Sequence, residues 1–364
     1  MSAPLTEPNP RPPTARSLKA NLRGWLFRLV LSLALGALFA WLVARGGVPL
    51  LPPAEAFRRV AWWAVPLYAL CVLVTHFFRA SRWRFLIAPV RELRLREVIA
   101  LNWIGFFAIF AFPLRLGEFA RPAVSKLRHG IPISAGVGTV AVERVLDGLI
   151  TSLCVAWALF VVPRRSTDDY LARHLPLYGG LALALFVAAF CALGLFLWQR
   201  NVAIRITEAI VGRFSSRLAP WVAQKVDSLA DGLHSLAAPR LVQGFILESA
   251  AYWGFNIFGA WLLGQGVGLA MSFGQAVSIT GILAIGILLP TGPGLFGSFQ
   301  LAVSTALKLY FIEEVVATTG SVYVFLLYGV QSVIIVITGV WPLYRLHIPL
   351  SRLLPLGSYS QSPS

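Results

Sequence analysis

Residues 276–300 read AVSITGILAIGILLPTGPGLFGSFQ. A helix needs roughly 20 apolar residues to cross the hydrocarbon of a bilayer, and the apolar run 276–290 falls short of that before it stops at Pro290. It then runs into Gly292, Pro293, Gly294 and Gly297, and a second short apolar piece, 295–312, follows. Proline removes a helix hydrogen bond, while glycine lets backbones approach closely or leaves N–H groups bare. Two short apolar pieces joined by such a break read as a re-entrant turn, because non-helical backbone at membrane depth survives only where protein or water surrounds it. A plain loop outside the membrane would leave both flanks too short to span.

The rest of the chain has the same character. Of its 364 residues 57% are hydrophobic and only 13% charged, about half the charge of a typical soluble domain. The reading is an all-α integral membrane protein. Apolar segments at 25–44, 62–78, 134–162, 176–198, 241–264 and 320–343 give about six full transmembrane helices. The stretch 98–112 is short, stops at Pro113 and continues into PLRLGEFARP, so it is expected to form a second re-entrant hairpin with 113–133. Residues 1–24 read as a disordered cytoplasmic tail, 25–345 as the transmembrane domain, and 346–364 as a short cytoplasmic tail. Within 199–240 apolar residues recur every three or four positions from Val202 to Leu236, the pattern of an amphipathic helix lying on the membrane surface. Cys71, Cys154 and Cys191 lie in apolar stretches without paired spacing, so neither a disulfide framework nor a metal site is expected.

The net charge of +16 would suit nucleic acid, but the basic residues sit in short loops between apolar blocks, as cytoplasmic loops beside anionic lipid do. With both short segments re-entrant, from opposite sides, one side of the membrane holds 22 Lys and Arg and the other 6. A full crossing at 98–112 would instead put the basic 199–240 region outside. The positive-inside rule therefore favours the hairpins and places both termini in the cytoplasm. Broken segments entering from opposite faces belong to an inverted-repeat design common among transporters, although no residue-level repeat joins the two halves.

Three clusters carry candidate chemistry. Arg115, Glu118 and Arg121 are three apart, so in a helical turn they would share a face. Two guanidiniums beside a broken helix make a phosphate receptor; a surface ion pair in a cytoplasmic loop is the plainer reading. Glu143, Arg144 and Asp147 lie inside a long apolar segment, where each charge costs about 2.5–3.5 kcal/mol on insertion scales. Glu143 and Asp147 share a face, and Arg144 points away toward another helix. A functional polar pathway, a structural ion pair and a span that begins later all stay open. The third cluster is the turn 289–300. Glu248, Asn256, Lys308 and His76 are weaker candidates, with Glu248 the best and His76 placed at the interface. No nucleophile elbow, Walker motif, dinucleotide fingerprint or metal-ligand spacing is present, so no enzyme activity and no cofactor are expected.

PLRLGEFAR, the later ERVLD and LPTGPGLFGSF, in this order, resemble the flippase-like membrane family that forms the N-terminal part of lysylphosphatidylglycerol synthases and also occurs as stand-alone proteins. The resemblance covers residues 20–345. It implies a lipid-handling domain that in the synthases moves aminoacylated phosphatidylglycerol between leaflets. It would carry Arg115, Glu118, Arg121, Glu143, Arg144 and Asp147 over as the polar pathway. Pro113, Gly117, Pro290, Gly292, Pro293, Gly294 and Gly297 would be the helix breaks. Many relatives have Glu where this chain has Gln300, so a proton-linked role there is put in doubt. The expectation is a lipid translocase of the bacterial cytoplasmic membrane, with membrane lipids of anionic or zwitterionic headgroup as partners, some of them isoprenoid-linked. No nucleic acid is expected, and a lipid-biosynthetic enzyme or a second copy are the protein partners considered. A membrane-embedded lipid or glycan transferase and a non-transporting scaffold are the alternatives.

Overall fold

The computed structural model describes residues 15–165, 170–198, 213, 238–289 and 292–348. Every regular element among them is helical. Four stretches are long and apolar enough to cross a membrane: Ala64–Ile87, Ile133–Val161, Arg173–Ala192 and Glu313–Arg345. Two more apolar helical pieces, Leu29–Arg45 and Phe273–Gly286, are shorter. The outer surface is apolar: Phe160 is 90% exposed, Leu247 72% and Ile337 63%. Side chains of that kind on so much of the surface face lipid.

Helix α1 (Ala15–Arg45) begins ten residues ahead of the expected first span. The tail expected to be disordered is thus helical from Ala15. Its prolines end at Pro13, and ARSLKANLR is built mostly of good helix formers. Helix α2 (Ala64–Ser81) passes the expected end at Phe78 and runs almost without pause into α3 (Trp83–Ile87). Arg79 and Arg82, expected in a basic loop, therefore sit within the apolar stretch. No Gly or Pro interrupts the chain between Pro66 and Pro89, and Trp83, Leu86 and Ile87 continue the buried face beyond the arginines.

After α4 (Leu95–Ala111) the chain doubles back. Leu114 and Arg115 take left-handed φ values of 51° and 57°, a conformation that non-glycine residues rarely adopt. The returning segment, a 3₁₀ turn at Pro113–Phe119 and then α5 (Ala120–His129), lies against α4. The approach is so close that a Cβ on Gly117 would sit 2.0 Å from the carbonyl carbon of Ala108. Around this hairpin lies one apolar cluster, joining Trp83, Ile87, Leu101, Ile104, Val124, Val142 and Phe245.

Helices α6 (Ile133–Val161) and α7 (Tyr170–Trp198) follow and pack together. The described chain resumes at α8 (Pro239–Val267), which runs along α2. The expected amphipathic helix at 199–240 falls almost wholly outside the described residues.

A second hairpin comes next. Helix α9 (Phe273–Gly286) opens with a reciprocal cap between Ser272 and Gln275, and α10 (Ser298–Lys308) packs back against it. Between them Pro293–Leu295 form one 3₁₀ turn, with Gly294 at φ 75°. Gly297 has φ 88°, and a Cβ there would lie 2.5 Å from the Gly36 carbonyl of α1. Gly292 also meets Gly36 closely, so α1 covers the break. Pro290 lies outside the described residues. Glu313–Val315 and a π turn at Val316–Gly320 lead into α11 (Ser321–Arg345), which is followed by a turn at Leu346 to Ile348. The larger apolar cluster surrounds this second hairpin and draws on α2, α6, α8 and α11.

Candidate functional site

The two breaks meet. Arg115 donates from Nη1 to the carbonyl oxygen of Ile287 at the end of α9, one of the carbonyls that a helix C-terminus leaves without an internal partner. Its Nη2 and Nε reach Glu118 Oε1 at 2.6 and 3.2 Å. Phe110, near the tip of the first hairpin, lies against Gly294, and Tyr328 of α11 donates to the Gly294 carbonyl at 2.9 Å. The left-handed pair Leu114 and Arg115 brings Arg115 into this junction. Of the three residues expected on one helical face, Arg115 and Glu118 keep their i,i+3 pair, while Arg121 turns to Glu143.

Beside the junction lies a cavity of about 140 Å³. Arg79, Arg115, Arg144, Asp147, His76, Asn256 and Gln331 are its charged and strongly polar walls, and Phe110, Gly294 and Phe299 bring both hairpins to it. Asp147 is held by Arg82, which is fully buried: Nη1 and Nη2 donate to Oδ1 and Oδ2 at 2.7 and 2.6 Å, a two-pronged pairing. Nη1 also donates to Ser249 Oγ at 3.1 Å. Tyr252 presents its ring to the Arg82 guanidinium at 4.7 Å and to that of Arg79 at 5.9 Å, and Phe106 lies 4.4 Å from Arg79 on another side.

Glu143 and Arg121 do not line this cavity. They are buried together one turn away, Arg121 donating to Glu143 and to Asn102 Oδ1, with the ring of Trp83 4.9 Å from its guanidinium. Trp83 in turn donates to Thr139 Oγ1 at 2.9 Å. Both acids of α6 are thus buried in the protein and paired. Arg144 does point away from Glu143, but toward the cavity, and no carboxylate among the described residues pairs with it.

Sequence reading missed Arg79 and Arg82 by ending a span too early. The apolar residues that follow them were the available signal. His76 was placed at the interface and is instead buried in the cavity wall, its ring edge-on to Phe106 at 5.8 Å. Glu248 accepts from Ser81 and Arg84. Gln300 caps α10, its Oε1 accepting from the Gly297 N–H at 2.7 Å; an amide does this without a titrating carboxylate. Among the described residues no group of His, Cys, Asp and Glu is placed to hold a metal.

This chain matches the lysylphosphatidylglycerol synthase transmembrane region over residues 25–339. The chain belongs to that family. It is thereby a multi-pass membrane protein, as its apolar helices also indicate. Glycosyltransferase AglD of Haloferax volcanii is 26% identical to it over 302 residues, which cover 72% of this chain and 47% of the relative. The chain therefore spans about half the length of the curated relative it matches. No solved structure matches it.

Proposed function

We propose that the protein carries a lipid with a phosphate-bearing headgroup between leaflets of the bacterial cytoplasmic membrane. The observation that carries this reading is the cavity walled by Arg79, Arg115 and Arg144 where the two broken hairpins meet. Charged groups at such depth are costly unless paired or facing a wet cavity, and guanidiniums recognise phosphate oxygens in a fork geometry. In this reading α1, α2, α6, α7, α8 and α11 are six full spans. The α4–α5 hairpin is re-entrant from the cytoplasm and the α9–α10 hairpin from the other side, as an inverted repeat. Both termini are cytoplasmic. The headgroup passes Arg115, Arg144 and Asp147, while the Arg121–Glu143 pair holds α5 against α6 beside the path.

The name of the archaeal relative favours a second reading, a membrane-embedded transferase acting on a lipid or glycan. One experiment separates the two. Purified protein in liposomes is given labelled phospholipids and isoprenoid phosphates. Leaflet exchange and the mass of the recovered lipid are then followed together. Exchange above protein-free liposomes with lipid of unchanged mass is expected. A covalently altered lipid without exchange would replace this reading with the transferase.

A further inference from the structure

The balance of charge at the cavity narrows the ligand, on the reading above that the ligand is a lipid. Three guanidiniums, those of Arg79, Arg115 and Arg144, line it, and that of Arg82 stands behind Asp147. Two carboxylates answer them, Asp147 held by Arg82 and Glu118 held by Arg115. The nearby Arg121 and Glu143 cancel each other. Arg79 and Arg144 form no ion pair with a carboxylate among the described residues, although Glu118 and Asp147 lie near enough to attract Arg144, so the group keeps two positive charges in excess. A site with two positive charges in excess is matched by a headgroup with two negative charges. A phosphate monoester carries about −1.5 to −2 at pH 7. A phosphodiester headgroup carries one negative charge, a zwitterionic headgroup none, and a lysylated one is repelled.

A second space adjoins the first. An almost wholly apolar slot of about 310 Å³ lies between α1, α6, α7, α9 and α10, and Ile285 of α9 lines both spaces. Ile282 and Gly286 of α9 and Leu289 just beyond it line the slot, while Leu283 of α9 and the following Ile287 and Leu288 line the charged cavity. The outer wall, with Tyr178 and Gly179, belongs to α7, the least buried of the four long apolar stretches. A charged space and an apolar space on either side of one helix, with a shared wall residue, have the form of an amphiphile.

We propose that this site is selective for lipid phosphate monoesters or diphosphates, whose doubly negative headgroup lies between Arg79 and Arg144 and one of whose hydrocarbon chains lies in the slot beside Tyr178. The test is lipid retention by the detergent-purified protein, read by native mass spectrometry. Phosphatidic acid and a polyprenyl phosphate compete there with phosphatidylglycerol, phosphatidylcholine and lysyl-phosphatidylglycerol. Retention of both monoesters at least tenfold over phosphatidylglycerol is expected, and Arg144→Gln or Arg79→Gln should reduce that ratio toward one. With a photo-crosslinking benzoyl-phenylalanine at position 178, the retained monoester should be captured by its chain. Equal retention of monoester and diester by the wild type, or preference for the lysylated lipid, overturns the selectivity. Absence of capture at 178 overturns the chain assignment. The same lipids in the leaflet-exchange assay keep the two ideas apart. Equal exchange of phosphatidylglycerol and monoester leaves translocation standing and sinks the selectivity, whereas selective binding without any exchange does the reverse.

Discussion

At the scale of single residues, the site rests on two buried ion pairs whose partners are far apart in sequence. Arg82 is fully buried and its two Nη atoms are engaged by Asp147, so removing the carboxylate strands a guanidinium in the protein interior. Breaking a buried pair from one side costs about 3–5 kcal/mol. Asp147→Asn should therefore lower the midpoint of thermal unfolding in detergent by several degrees, and Arg82→Gln should do the same. The double variant should recover part of the loss, since two amides can bond each other without an unmatched charge. Independent, additive losses in the two single variants would contradict the pairing. The need for partners was legible from the sequence, because Glu143 and Asp147 stand within an apolar segment. The identity of the partners was not. Arg121 lies on α5 of the first hairpin and Arg82 at the junction of α2 and α3, and only the fold brings both to α6. Arg79 and Arg82 were read as loop residues because a run of arginines after an apolar block ordinarily marks a membrane boundary. Here that run is crossed by a helix that keeps Trp83, Leu86 and Ile87 buried.

At the scale of elements, the two hairpins depend on backbone contact. Pro113, Gly117 and the 290–297 turn were legible as breaks because Gly and Pro are rare inside apolar helices without a reason. The return direction of each hairpin was not legible, since it is fixed by where the Gly117 and Gly297 backbones touch α4 and α1. A Cβ at Gly117 would overlap the Ala108 peptide, and that peptide cannot move without opening the hairpin. Gly180, inside α7, has nothing within 4 Å of the place a methyl would take, and an alanine there should be neutral or stabilising by about 0.5–1 kcal/mol. Gly117→Ala should thus cut the yield of monodisperse protein sharply while Gly180→Ala leaves it unchanged. Equal behaviour of the two variants, checked by size-exclusion chromatography, would show that the hairpin is not packed as described.

At the scale of the whole molecule, leaving out Arg79, Arg82, Arg115 and Arg121, which the structure turns inward, basic residues divide 18 to 6 between the two sides of the proposed topology, and the strongly polar walls of the cavity lie where the two hairpins and α2, α6, α8 and α11 converge. The large apolar cluster surrounds the second hairpin and the smaller one the first, so each break is held by its own packing and the cavity forms at their boundary. In the proposed translocation, one hairpin moves against the other with the headgroup between them. Arg144 is the residue on which this account turns: it projects from the middle of α6 into the cavity and pairs with no carboxylate among the described residues. The most direct measurement is the initial rate of leaflet exchange of a labelled lipid phosphate in proteoliposomes holding wild type or Arg144→Gln at equal, correctly inserted amounts. Rapid exchange by the wild type and at least a tenfold slower rate for the variant are expected. Exchange by the variant at the wild-type rate would contradict passage through the arginine-lined cavity.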